Sequence, residues 1–150
     1  MKWISVLLVC LVTACVYEQS DQEKFKELLK KAEAGDAEAQ AEVGIRYFDG
    51  QGVIKDEVEA VKWFRKAADQ GDARAQNGLG VCYGKGKGVS KDYETGYMWY
   101  LLAGAQGSEL ARKNAGIVEK GLTPEQRANG QKRAREWQEA FDKAKEAKGN

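Results

Sequence analysis

The 150-residue chain has no histidine, one proline and three cysteines, and its 24 Lys and Arg residues almost balance its 23 Asp and Glu residues. Without histidine, it lacks the commonest general base of enzymes and the commonest ligand of transition metals. The balanced charge argues against nucleic-acid binding, because neutralising phosphates requires a clustered excess of cations. We therefore expect a protein with no metal, no small-molecule cofactor, no nucleic-acid partner and no enzymatic activity. The single proline and 31% charged residues favour a helical protein.

The N-terminal segment differs from the rest of the chain. Residues 4–15 are apolar apart from Ser5 and Thr13, and a short start with Lys2 precedes them. Such a run is too short to span a bilayer as a helix, which needs about 20 residues, but it suits the apolar part of an export signal. The segment therefore predicts export.

The sequence Val-Thr-Ala-Cys at 12–15 resembles a bacterial lipobox. This resemblance implies that residues 1–14 are a lipoprotein signal peptide, that Cys15 is lipidated and that residues 15–20 form the lipidated N-terminus and a linker. Val16 after the cysteine implies, by the same resemblance, an outer-membrane lipoprotein that faces the periplasm. The alternative is an ordinary signal peptide that is cleaved without lipidation.

The sequence repeats itself at a shift of 36 residues. The shift aligns Gly35 with Gly71 and Gly107, and it also superimposes further glycines, tyrosines and tryptophans. Examples are Gly44 with Gly80, Tyr47 with Tyr83, Gly52 with Gly88 and Trp63 with Trp99. A period of this length accommodates two helices, so it predicts an array of stacked helix pairs.

Each unit contains the signals of two helices. Asp36 can cap a first helix whose small or apolar face is Ala39, Val43, Gly44 and Tyr47, and Gly50 and Gly52 end it. Asp56, with Glu59 three residues later, indicates the start of a second helix. The buried stripe of that helix is expected to be Ala60, Trp63, Phe64 and Ala67.

These residues resemble the Sel1-like repeat family, a relative of the tetratricopeptide arrays. The pattern is Ala39-x-x-x-Val43-Gly44-x-x-Tyr47-x-x-Gly50-x-Gly52-Val53-x-x-Asp56, followed by Ala60-x-x-Trp63-Phe64-x-x-Ala67-Ala68-x-x-Gly71. The resemblance covers residues 21–147, with repeats at about 35–70 and 71–106 and a partial third unit with a capping helix at 107–147. It implies an all-α fold, a right-handed α-solenoid of antiparallel helix pairs closed by a long C-terminal capping helix.

Both ends of the array are predicted to be single helices. Phe25, Leu28, Leu29 and Ala32 form the apolar face of an N-terminal helix. The capping helix is expected from Pro124 to about Lys145, with Ala128, Ala134, Trp137 and Phe141 along it.

The resemblance also implies a concave groove lined by the first helix of each pair. Its predicted lining is Glu38, Ala41, Ile45, Phe48, Arg74, Asn77, Val81, Leu110, Lys113 and Ile117. An apolar strip flanked by charges is typical of a groove that binds an amphipathic peptide or helix. The alternative is that these side chains pack against the next helix or against the capping helix.

The expected function is a periplasm-facing, lipid-anchored module for protein–protein interaction. It would bind a protein partner (a peptide, a helix or an effector enzyme) in the groove and be attached to the membrane through Cys15. By resemblance to small Sel1-repeat lipoproteins, the alternative is an immunity protein that neutralises a toxic effector delivered to the periplasm. An enzyme acting on the cell wall is a third hypothesis, which would need a carboxyl group with a strongly raised pKa in a pocket.

Overall fold

The computed structural model describes residues 21–149. Within this range the chain is all-α and forms seven helices. Helix α1 covers 21–33, and the others are α2 (Ala37–Asp49), α3 (Glu57–Asp69), α4 (Ala73–Lys85), α5 (Tyr93–Ala105), α6 (Glu109–Glu119) and α7 (Pro124–Gly149). The predicted all-α array of helix pairs is confirmed. The predicted signal peptide, Cys15 and the linker lie outside the described residues.

Aspartate caps set the start of each repeat helix. The carboxylate oxygen of Asp36 accepts a hydrogen bond from the backbone N–H of Ala39 at 2.8 Å, and Asp56 accepts from Glu59 at 2.9 Å. Asp72 and Asp92 do the same for α4 and α5. Each cap satisfies a backbone donor that has no partner within the helix, which is why these positions are Asp in both units.

The two helices of a pair pack closely because glycine occupies the contact position on the first helix. A Cβ atom on Gly44 would lie 2.5 Å from Cδ1 of Phe64, and one on Gly80 would lie 2.5 Å from Cδ1 of Tyr100. The aromatic ring of the second helix therefore rests on the backbone of the first. The predicted buried stripe of α3, from Ala60 to Ala67, is confirmed, and none of its four side chains is more than 6% exposed.

One hydrogen bond recurs at every junction between units. The Gln40 side chain donates to the carbonyl oxygen of Ala32 at 3.0 Å, and Gln76 donates to that of Ala68 at 3.5 Å. At the third junction Arg112 donates through Nε to the carbonyl oxygen of Gly104 at 2.9 Å. Because the separation is eight residues each time, α1 occupies the place of the second helix of a preceding unit.

Helix α5 is the most buried helix of the array. Nine of its residues are buried, since it packs against α4, α6 and α7. A helix that is buried on every side needs small or apolar residues all round, and α5 is rich in them. This explains why its sequence has no clear polar face.

The capping helix α7 packs against α5. Its Trp137 meets Trp99 edge to face at a centroid distance of 5.9 Å, and Phe141 lies against Gly71. Gly130 approaches the Tyr97 ring so closely that a Cβ atom would lie 2.8 Å from Cδ1. Ala128, one of the four residues named along this predicted helix, is exposed, because the face of α7 that meets α5 runs through Gly130 and Ala134.

Candidate binding groove

A concave pocket of about 280 Å³ lies where the first helices α2, α4 and α6 come together. We call this pocket and its rim the groove. It is lined by Ile45, Phe48, Asp49, Phe64, Arg74, Asn77, Gly78, Val81, Ser108 and Leu110. All but Phe64 and Ser108 belong to the three first helices, and Ser108 is the N-cap of α6.

An aromatic pair from two different helices contributes to the groove lining. Phe64 belongs to the second helix of the first pair, yet it reaches the groove because Gly78 has no side chain to cover it. A Cβ atom on Gly78 would lie 3.0 Å from Cε2 and Cζ of the Phe64 ring. Phe48 completes the pair, with ring centroids 6.3 Å apart. The groove is therefore apolar where its walls meet.

The structure brings together six of the ten residues predicted for the groove: Ile45, Phe48, Arg74, Asn77, Val81 and Leu110. Glu38 lies beside them, exposed, with its carboxylate 3.8 Å from Nη2 of Arg74. Lys113 and Ile117 are exposed on α6 and do not line the pocket.

The placement of Ala41 in the groove was wrong. Its side chain is fully buried in the core cluster that α3, α4 and α5 share with α2. For this position, the alternative that the side chain packs against neighbouring helices is the correct one. Ala41 is thus inaccessible to any partner.

Five residues at the groove were not predicted. Asp49, Phe64, Gly78 and Ser108 line it, and Asn114 donates a hydrogen bond to Oδ1 of Asn77 at 3.3 Å. Of these five residues, Gly78 is the one that the sequence could have revealed. It is a glycine at a position where the 36-residue repeat does not require one, since the equivalent residue of the first unit is Glu42.

Charged side chains surround the apolar centre. The Arg74 guanidinium is 3.4 Å from the Asp72 carboxylate and also donates to the backbone carbonyl of Glu38 at 3.3 Å. Along α2, Glu42 pairs with Arg46 at 3.4 Å, and Asp49 is exposed at the end of the helix. The rim on the α2 side therefore carries more negative than positive charge.

The groove is open. The residues that line it include none from α7, which packs on α5. Leu110 is 60% exposed, although it is one of the large apolar side chains of the lining. A partner could therefore reach the apolar lining without displacement of a helix.

Two groups whose pKa is raised by burial, the Cys82 thiol and the Asp69 carboxyl, lie away from the groove. Cys82 is fully buried, and burial raises its pKa to about 12, so its thiol stays protonated and poorly nucleophilic at neutral pH. Burial also raises the pKa of Asp69, against the lowering effect of the nearby Arg65, but Asp69 does not line the groove. Between residues 21 and 149, no group of three or more His, Cys, Asp or Glu side chains is arranged to hold a metal ion. No helix in that range has the length and hydrophobicity needed to cross a membrane.

Comparison with known proteins identifies the class of repeat. The family described as Sel1 repeat matches residues 37–72 and 73–108, which are α2 with α3 and α4 with α5. The chain therefore carries two Sel1 repeats, and the predicted resemblance to Sel1-like repeat proteins is confirmed. The Sel1-repeat fold is typical of non-enzymatic modules for protein–protein interaction.

Individual relatives are longer than this chain. The secretory immunoglobulin A-binding protein EsiB of Escherichia coli is 37% identical over 62 residues, which are 41% of this chain and 13% of EsiB. A protective antigen of uropathogenic Escherichia coli with an SLR fold superimposes with a TM-score of 0.77 and 34% identity, over 80% of this chain and 26% of that one. A Sel1 repeat protein from Oxalobacter formigenes superimposes with a TM-score of 0.60 and 38% identity, over 64% of this chain and 40% of that one.

Proposed function

We propose that this chain is a protein-binding module that holds a segment of its partner in the groove. The observation that carries the proposal is the open apolar pocket at the meeting point of α2, α4 and α6, with the capping helix packed elsewhere. Exposed apolar surface inside a concave site is where binding energy is concentrated in protein interfaces. The name of the relative EsiB describes binding to a protein, which supports the same class of function.

We further propose that the module is a lipoprotein attached through Cys15 to the outer membrane and facing the periplasm. The lipobox-like residues at 12–15 support this location. An envelope adaptor and an immunity protein would use the same groove and differ in the partner bound. The identity of the partner therefore decides between the two.

The groove is tested by capture of partners on matched variants. The chain is purified from the envelope of an expressing bacterium, as wild type, as Leu110→Asp and as Ile54→Asp. Leu110 lines the groove, whereas Ile54 is 89% exposed in the α2–α3 loop, so both changes place a carboxylate on an exposed apolar site. We expect Leu110→Asp to lose proteins that wild type and Ile54→Asp retain. Equal retention by all three would contradict the groove, and a toxic hydrolase among the lost proteins would identify an immunity protein.

The anchor is tested by metabolic labelling with a fatty acid. Cys15→Ser should abolish acyl labelling and recovery in the membrane fraction, because the lipid would be attached to the Cys15 sulfur. Cys10→Ser is the matched control, since it makes the same change within the apolar segment and should leave both unaffected. A labelled, membrane-bound Cys15→Ser protein would contradict lipidation at this residue.

A further inference from the structure

The groove has unequal walls, and the difference indicates what it binds. On α2, Glu38, Glu42, Ile45 and Asp49 follow one another at helical spacing; Ile45 and Asp49 line the groove, and Glu38 lies beside Arg74 at its rim. Three of these four are acidic, and Arg46 is the basic residue paired with them, through Glu42. We call this row the acidic wall.

The cation at the centre of the groove does not offset the acidic wall. Arg74 is held between two carboxylates, with Nη2 3.4 Å from Asp72 and 3.8 Å from Glu38. Together these three residues carry one net negative charge. On α6, Lys113 and Glu109 are both exposed and cancel each other. Lys55, whose ammonium lies 5.8 Å from the Phe48 ring centroid, is paired with Glu57 at 3.1 Å. The excess negative charge of the groove is therefore concentrated along α2.

The apolar part has room for large side chains. A volume of about 280 Å³ equals that of about nine water molecules at roughly 30 Å³ each, which suits one or two large apolar side chains. The lining that would contact them is Ile45, Phe48, Phe64, Val81 and Leu110. An apolar site with a charged wall on one side is the complement of an amphipathic segment with charge on one flank.

We propose that the occupant of the groove is a basic amphipathic segment of a partner protein. Its large apolar side chains fill the pocket, and its Lys or Arg residues lie along the acidic wall. This inference rests on the proposed function, because it takes the groove to be the binding site, and it adds the chemistry of the partner and its orientation across the groove.

Two synthetic peptides test the inference directly. They are fluorescently labelled and carry leucines at positions i, i+3, i+7 and i+10, and they differ only in having Lys or Glu along one flank. Anisotropy titration against the purified chain should show that the Lys peptide binds about tenfold more tightly than the Glu peptide at low salt. Added salt should reduce this preference, since exposed charges are screened.

Variants of the chain locate the effect. Glu38→Lys with Asp49→Lys should abolish or reverse the preference for the Lys peptide. Glu139→Lys with Glu146→Lys is the matched control, because it changes the net charge equally at exposed positions of α7, away from the groove. Leu110→Asp should weaken binding of the Lys peptide, which locates it in the groove.

The inference is overturned if the Glu peptide binds as tightly as the Lys peptide, if neither binds, or if the two charge reversals act alike. These outcomes differ from failure of the proposed function. If Leu110→Asp loses a cellular partner while the peptides show no charge preference, the groove is a binding site with a different partner chemistry. If the cellular partner is retained by Leu110→Asp, the proposed function itself fails.

Discussion

Gly88 makes the closest backbone contact between successive units, so a single methyl group added there is predicted to lower the free energy of unfolding strongly. Gly52 and Gly88 occupy the same position of the two repeats and have the same backbone φ of +69°. A Cβ atom on Gly52 would lie 3.4 Å from the carbonyl oxygen of Asp21, an ordinary contact. One on Gly88 would overlap the Glu57 carbonyl group and lie 2.8 Å from the backbone nitrogen of Val58. Gly52→Ala is thus a matched control for Gly88→Ala.

The two substitutions share the backbone strain and differ in the clash. Alanine in the left-handed region costs about 1–2 kcal/mol, and the lower entropy of the unfolded chain offsets about 0.4–1 kcal/mol of this. We therefore expect Gly52→Ala to lower the free energy of unfolding by about 1 kcal/mol. Gly88→Ala adds overpacking, which costs about 1–3 kcal/mol. Because the obstructing atoms are backbone, they cannot rotate away, and a total of about 3 kcal/mol is expected.

The measurement is urea unfolding of both variants and the wild type, followed by circular dichroism at 222 nm. Because repeat arrays can open unit by unit, coincidence of this transition with the tryptophan fluorescence transition is checked for each protein. The proposed packing of the α4–α5 loop against the start of α3 is refuted if the two variants, Gly88→Ala and Gly52→Ala, have unfolding free energies that agree within about 0.5 kcal/mol.

Three further changes have expected outcomes. Trp99→Ala should destabilise by about 3–5 kcal/mol because Trp99 is only 1% exposed, whereas Tyr93→Ala, at a 47% exposed residue, should cost far less in the same urea assay. Burial raises the pKa of Cys82 from 9.0 to about 12. The folded state therefore binds this proton more tightly than the unfolded state does. The contribution of Cys82 to the free energy of unfolding should be fully present below pH 9 and be lost as the pH rises towards 12. Cys82→Ala should make the free energy of unfolding decline less steeply with pH across this range. An unchanged slope would contradict the raised pKa of Cys82. Thr123→Ala removes the hydroxyl that accepts from the Gln126 N–H at 3.2 Å and should cost about 1 kcal/mol, seen as a lower melting temperature.

Local signals predicted the repeat helices well. The capping aspartates, the glycines that end the first helices and the buried aromatic stripe each depend on residues within one unit, and the 36-residue repeat supplied every one of them twice. The direction of α7 could not be derived in this way. Its contacts with α5 and Gly71 are long-range, and a partial third unit has no second copy with which to compare it.

The groove was predicted in part because one repeat position has a different environment in each unit. Ala41, Asn77 and Lys113 are equivalent at the 36-residue shift, yet they are buried, half-buried and exposed in turn. Ala41 lies in a core to which α3, α4 and α5 also contribute, while α6 is followed by α7, which packs on α5. Periodicity predicts a shared face, but the burial of that face depends on how many neighbours follow.

The junction hydrogen bonds have a consequence for the length of the array. Each junction glutamine, Gln40 or Gln76, also accepts a second hydrogen bond through its side-chain oxygen. Gln70 donates to Gln40 and Gln106 donates to Gln76, each at 2.8 Å. At its N-terminal end, the segment 73–108 donates from Gln76 to the carbonyl oxygen of Ala68, and at its C-terminal end it offers the equivalent carbonyl oxygen of Gly104, to which Arg112 donates. A duplicated copy of this segment, inserted after residue 108, would meet the bonding partners already in place on either side. The array can therefore be lengthened one unit at a time, and each insertion would add one more helix to the concave side while the two terminal helices stay as they are.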